Sequence, residues 1–235
     1  MIGTAEGPTR FLVSVRSADE ARIALAGGAD IVDAKEPRAG ALGAVTSSAL
    51  LAIVQAVNVQ RPVSATIGDC DCEEAAGRVP ATAGMGVDYV KIGLFGVPSP
   101  AALKALERCS AAGIRQIAVM FADRAPDLAL IKPLAQAGFA GVMLDTAGKG
   151  QGLQAHMGKP ALAAFLAEAR KFGLLAGLAG SLRETDASAL RPLRPDVLGF
   201  RGALCSGGAR AQALEIERVK AMRRLIRAEL AADVA

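Results

Sequence analysis

Two hydrophobic patterns take turns along this chain. Short apolar runs rich in β-branched residues lie at 11–15 (FLVSV), 30–34 (DIVDA), 62–67 (PVSATI), 88–94 (DYVKIGL), 115–121 (RQIAVMF), 140–145 (AGVMLD), 174–178 (LLAGL) and 196–200 (DVLGF). Each is bounded by Gly, Pro or Asp, as buried strands are. Between them the spacing predicts helices over 17–27, 46–58, 72–84, 99–112, 124–137, 159–172, 183–191 and 212–231. The first opens with Ser17 and Glu20, the pattern of a capping box, and stops at Gly27-Gly28. Four helix-to-strand junctions share one design, a helix-ending Gly or Pro and then a short apolar strand: AGGADIVDAK, GMGVDYVKIG, QAGFAGVMLD and RPDVLGFRG.

Eight strand–helix units in about 230 residues predict an α/β fold, a single-domain (β/α)8 TIM barrel. The expected barrel domain runs over 11–235, after an N-terminal tail at 1–10. A doubly wound sheet would carry a glycine fingerprint after its first strand, and SVRSADE stands there instead. No linker or break in composition divides the chain.

Composition narrows the function classes. The chain has 235 residues and is 52% apolar, enough for one closed core and too apolar for disorder. The net charge is 27 − 23 = +4, but the basic residues are scattered, and there is no Trp and one Tyr. A nucleic-acid surface with stacking aromatics is not expected. No apolar run reaches the roughly 18 residues of a membrane helix, and MIGTAEGPTR lacks a signal-peptide pattern. A soluble, cytoplasmic protein with no membrane partner is expected, and a homo-oligomer stays open. The basic, amphipathic ERVKAMRRLIRAEL reads better as the last barrel helix than as a membrane-surface helix. Cys70, Cys72, Cys109 and Cys205 form no disulfide framework, and with His156 as the single histidine no zinc site is expected. His156 lies in a polar loop and reads as a surface residue, and Cys205 as a small buried filler.

In a barrel of this kind the active site lies at the C-terminal ends of the strands. Strand 2 ends in Asp33-Ala34-Lys35, which puts Asp33 and Lys35 on one face. Strand 4 carries Lys91, strand 6 ends in Asp145 with Lys149 following, and strand 3 runs into Ser64, Thr66 and Asp69. Lysines and carboxylates converging on one barrel mouth suggest Schiff-base chemistry. A lysine attacks a carbonyl only as the neutral amine, and burial and a second cation nearby both favour that form. The loops after strands 7 and 8, AGSLRE and FRGALCSGG, place Gly180, Ser181, Arg201 and Gly202 where these barrels frequently bind phosphate. Gly202 is expected to matter for its missing side chain.

The segments DIVDAKEPRAGALGA (30–44), RPVSATIGD (61–69), DYVKIGLFG (88–96), MLDTAGK (143–149), LAGSLR (178–183) and GFRGALC (199–205) resemble the (5-formylfuran-3-yl)methyl phosphate synthases. These are barrel enzymes of methanofuran biosynthesis, and the likeness runs from about residue 11 to about residue 225. It implies condensation of two molecules of glyceraldehyde 3-phosphate into a furan aldehyde phosphate, with loss of phosphate and water and no metal or organic cofactor. It further implies that Lys35 forms the Schiff base and Lys91 transfers protons, with Asp33, Asp145 and Lys149 completing the site. An enamine on Lys35 would add to the aldehyde of the second triose phosphate. The loop after strand 3, with CDCEEAAGR, departs from the archaeal pattern and leaves the role of Asp69 open. Two other readings stand beside this one. A class I Schiff-base aldolase would use the same lysine on another phosphorylated sugar. A non-catalytic metabolite-binding barrel would have no use for both lysines.

Overall fold

The computed structural model describes residues 7–148 and 150–228. Eight parallel strands close into a barrel in chain order: β1 (Arg10–Val15), β2 (Ile31–Ala34), β3 (Val63–Thr66), β4 (Tyr89–Gly93), β5 (Gln116–Phe121), β6 (Gly141–Asp145), β7 (Leu175–Leu178) and β8 (Val197–Phe200). β8 pairs with β1, with Arg10 opposite Val197 and Val13 opposite Phe200. Around them lie α1 (Ala18–Ala26), α2 (Ser47–Val57), α3 (Cys72–Ala83), α4 (Pro100–Ala111), α5 (Ile131–Gln136), α6 (Leu153–His156), α7 (Lys159–Lys171), α8 (Glu184–Leu190) and α9 (Ile216–Arg227).

Strand parity builds the core. Successive side chains point to opposite faces, so one set meets the helices and the other fills the barrel. Phe11, Val13, Val32, Ala34, Val90 and Ile92 belong to the large outer core with the helices. Leu12, Ile31, Val119, Phe121, Met143 and Val197 form a separate, smaller interior cluster. Met143 occupies the space that two interior glycines leave. A Cβ on Gly177 would lie 3.1 Å from its Cγ, and one on Gly199 3.0 Å from its Cε. The interior parity continues upward from this apolar floor into Ser14, Asp33, Ser64 and Lys91, all buried.

Helix starts follow local chemistry. Thr46, Asp71 and Ser99 accept from the backbone N–H three residues on and cap α2, α3 and α4. Ser17 caps α1 in the same way through the N–H of Glu20. The expected return bond is not made: the Glu20 carboxylate accepts from the N–H of Arg16 at 2.9 Å and pairs with Arg201.

Two helix expectations are corrected. The predicted 124–137 helix is broken into 3₁₀ turns at Ala122–Arg124 and Leu128–Leu130 followed by short α5. Pro126 disfavours helical angles at Ala125, which takes a left-handed φ of 45°. The predicted 212–231 helix begins at Ile216, because Leu214 forms an antiparallel bridge with Cys205. Residues 229–231 lie outside the described residues. The 151–157 loop also folds a short α6 that no periodicity indicated.

Candidate active site

Lys35 follows β2 directly and is 8% exposed. Its Nζ donates to Asp145, the last residue of β6, at 3.0 Å. Lys91, in mid-β4, donates to both carboxylate oxygens of Asp33 at 3.1 Å. Asp33 is fully buried and also accepts from Ser14 at 2.9 Å and Ser64 at 2.6 Å. That is a consequence of register: Asp33 stands opposite Ser14 on β1 and Ser64 on β3. Thr66 is spent on structure, donating to the carbonyl of Gly43 at 2.8 Å.

Of these groups Ser14, Lys35, Lys91 and Asp145 line one cavity of about 600 Å³ at the C-terminal mouth of the barrel. Gly180, Ser181, Arg201 and Gly202 line it as well. Asp33 is not on its wall and reaches it through Lys91. Lys149 lies outside the described residues.

The two glycine-containing loops differ in kind. Gly180 has φ 107°, and a Cβ there would come within 2.9 Å of Thr146 Cγ2 and 3.0 Å of its amide nitrogen, so no other residue fits without movement. Ser181 beside it is also left-handed, with φ 49°. The backbone N–H groups of Gly180, Ser181 and Gly202 have no hydrogen-bond partner among the described residues. At Gly202 a Cβ would meet only ordinary contacts, the nearest at 3.4 Å, so the backbone itself does not demand glycine there.

Arg201 serves differently from the expectation. Its guanidinium is buried and forms two bonds to Glu20, at 2.8 and 3.2 Å. It also donates to the carbonyls of Ser14 at 2.9 Å and Arg210 at 2.7 Å. With its donors so committed, the side chain ties the β8 loop to β1 and α1.

Several contributing residues were not singled out from sequence. Ser14 acts through strand register, and Glu20, read from sequence only as a helix cap, through its pairing with Arg201. Asp123 accepts from the N–H groups of Ala147 and Gly148 at 2.8 and 2.7 Å and so shapes the loop after β6. Burial opposes its ionisation, but these bonds outweigh that and hold its carboxyl below the usual range. Asp69, whose role was open, shapes the loop after β2, accepting from Ala41 and Leu42 at 2.9 and 2.6 Å. Arg210 lines the cavity, and its burial pulls its pKa down against the opposing charge of Asp145.

The cysteines sit apart from this chemistry. All four are buried and free, burial raises each thiol, and that of Cys72 is pushed up to about 11. Among the described residues no group of three or more His, Cys, Asp or Glu side chains could hold a metal, and no helix is long and apolar enough to cross a membrane. His156 is exposed.

The profile of the 4-HFC-P synthase family matches residues 11–223. The chain belongs to this family of synthases. The (5-formylfuran-3-yl)methyl phosphate synthase of Methanopyrus kandleri is 37% identical, covering 86% of this chain and 91% of its own. That of Methanocaldococcus jannaschii is 34% identical, covering 92% and 98%. A protein of Methylorubrum extorquens that bears the name provisionally is 43% identical, covering 100% and 99%. Among solved structures, phosphoribosyl anthranilate isomerase from Thermotoga maritima superposes with a TM-score of 0.66 at 15% identity, covering 94% of this chain and 100% of that one. A 3-hexulose-6-phosphate synthase from Salmonella typhimurium gives 0.63 at 20% identity, covering 91% and 98%. At these identities the likeness concerns the barrel alone, whereas the synthase relationship extends over the whole of it. Five of the six motifs that resembled the family in sequence contribute residues to this cavity, and the sixth, RPVSATIGD, carries the Ser64 that holds Asp33.

Proposed function

We propose that this chain condenses two molecules of glyceraldehyde 3-phosphate into (5-formylfuran-3-yl)methyl phosphate through a Schiff base on Lys35. The observation that carries the reading is the pair of buried lysines on one cavity, each on its own carboxylate: Lys35 on Asp145 and Lys91 on Asp33. A binding protein gains nothing from burying two cations at a strand-end mouth, where desolvation is costly. Schiff-base chemistry needs one amine to attack and a second group to move protons.

Lys35, with its proton passed to Asp145, attacks the carbonyl of the first triose phosphate and expels water. The iminium draws electrons from the neighbouring C–H bond, Lys91 moves the proton, and the enamine expels phosphate from the adjacent carbon. The skeleton of the product then decides the next bond. Its phosphomethyl carbon hangs from a ring carbon that is the middle carbon of the second triose, so the carbon that lost phosphate, now the terminal carbon of an enol conjugated to the iminium, must join that atom. The second molecule is therefore attacked as a ketose, after a proton shift between its first two carbons, and not at its aldehyde. Ring closure, two dehydrations and hydrolysis from Lys35 release the furan. The balance is two triose phosphates giving one furan phosphate, one inorganic phosphate and two waters. Aromaticity makes the sequence effectively irreversible.

The retained phosphate would rest on the loops after β7 and β8, where Gly180, Ser181 and Gly202 line the cavity and their N–H groups have no partner among the described residues. Supplying glyceraldehyde 3-phosphate alone tests the reading. A near-ultraviolet furan aldehyde with equimolar inorganic phosphate is expected, whereas an aldol product with all phosphate retained would make the chain a class I aldolase instead.

A further inference from the structure

A second, more open cavity of about 550 Å³ lies beside the first, lined by residues of the loops after β2, β3, β5, β6 and β8. Pro37 and Arg210 stand on the walls of both. Three arginines line it: Arg38, Arg124 and Arg210. None of the three forms an ion pair with a carboxylate among the described residues. Arg124 lies over the rings of Phe95 and Phe121, 5.4 and 5.7 Å from their centroids. Phe121 is the interior residue opposite Asp145 in the β5–β6 register, and Arg210 interacts electrostatically with Asp145, the carboxylate that binds Lys35. Arg210 spends Nη2 on the carbonyls of Pro37 and Gly40, and among the described residues its Nε and Nη1 have no partner. The two carboxylates on the same wall, Asp69 and Asp123, are each bound by two backbone N–H groups.

We infer that Arg38, Arg124 and Arg210 form a second phosphate subsite, which receives the phosphate expelled from the triose on Lys35. The inference rests on the proposed condensation, which brings two phosphates to one lysine and keeps only one. The enclosed loops after β7 and β8 suit the group that is retained. An open cavity lined by arginines suits the one that departs, because charge builds on the leaving oxygen as its bond to carbon breaks. Arginine donors stabilise that charge and remain protonated throughout. No residue needs to change its proton for the phosphate to leave.

Equilibrium dialysis with inorganic phosphate tests the subsite without turnover. The wild-type chain should bind two phosphates, and the Arg38→Gln/Arg124→Gln variant one. Both positions are exposed, so the fold should survive, as circular dichroism will check. With glyceraldehyde 3-phosphate, the variant should still give the borohydride adduct on Lys35 but release phosphate at least about 10-fold more slowly. One phosphate per wild-type chain, two per variant chain, or unchanged release by the variant would each overturn the subsite. Failure of the wild type to make a furan would overturn the proposed reaction instead, and the dialysis count would still decide the subsite.

Discussion

The Nζ of Lys91 lies 3.1 Å from each carboxylate oxygen of Asp33, and the same carboxylate accepts hydrogen bonds from Ser14 and Ser64. Three strands thus fix one acid, and the acid fixes the lysine that reaches the cavity. Lys91→Met should lower turnover at least about 100-fold, the scale of lost acid–base catalysis. Because it strands a buried charge, it should also cost about 3 kcal/mol in urea unfolding. Asp33→Asn added to Lys91→Met should recover part of that stability and none of the activity. Additive losses of stability in the double variant would mean that the two residues are not a coupled pair.

Arg201 and Glu20 form a third buried pair, at 2.8 Å, that holds the β8 loop against α1. Glu20→Ala leaves the guanidinium without its carboxylate and should destabilise the barrel by about 3 kcal/mol. Because the pair positions the loop without touching substrate, the charge-removing, shape-keeping Glu20→Gln should raise KM for the phosphorylated triose more than it lowers kcat. An equal fall in kcat with KM unchanged would place Arg201 at the reacting atoms.

Gly180 and Gly202 should separate under the same substitution. Alanine at Gly180 meets Thr146 at a left-handed backbone and should lower both Tm and substrate affinity. Alanine at Gly202 should leave Tm near wild type and act, if the loop holds phosphate, through KM alone. A stable, fully active Gly180→Ala would remove this loop from substrate binding.

Asp30 ties the end of α9 to the start of β2. It accepts from Arg223, from Arg227 at 3.1 Å and from the N–H of Phe11 at 2.9 Å. Burial alone would raise its pKa, but the bonds from Arg223 and Phe11 and the charges of Arg223 and Arg227 outweigh it and hold the carboxyl below its ordinary value. A depressed folded-state pKa gives stability that is present above about pH 4 and is lost as pH falls through the folded value. Asp30→Asn should therefore lower Tm at neutral pH, with the gap to wild type narrowing below about pH 4. A gap that stays constant into acid would show that ionisation of Asp30 contributes nothing.

The barrel was legible because its two hydrophobic periods never overlap. Asp33 and Lys35 share a face by strand parity, which marks both as interior before any coordinate is known. What escaped was lateral. That Asp33 meets Ser14 and Ser64 depends on register, and that Glu20 abandons its cap for Arg201 depends on which helix end faces β8. Gly202, expected to need its hydrogen, has room for a Cβ, whereas Gly180 does not. A one-dimensional pattern does not distinguish a left-handed glycine from an ordinary one. The 124–137 helix failed because Pro126 breaks a stretch whose apolar spacing alone is helical.

The central claim is that Lys35 carries the substrate, and borohydride trapping followed by peptide mass mapping tests it most directly. With glyceraldehyde 3-phosphate present, reduction should leave a triose-derived mass on the peptide that contains Lys35, with activity lost in proportion. A mass on the peptide of Lys91 or of any other lysine, or turnover that continues with no adduct at all, would contradict it.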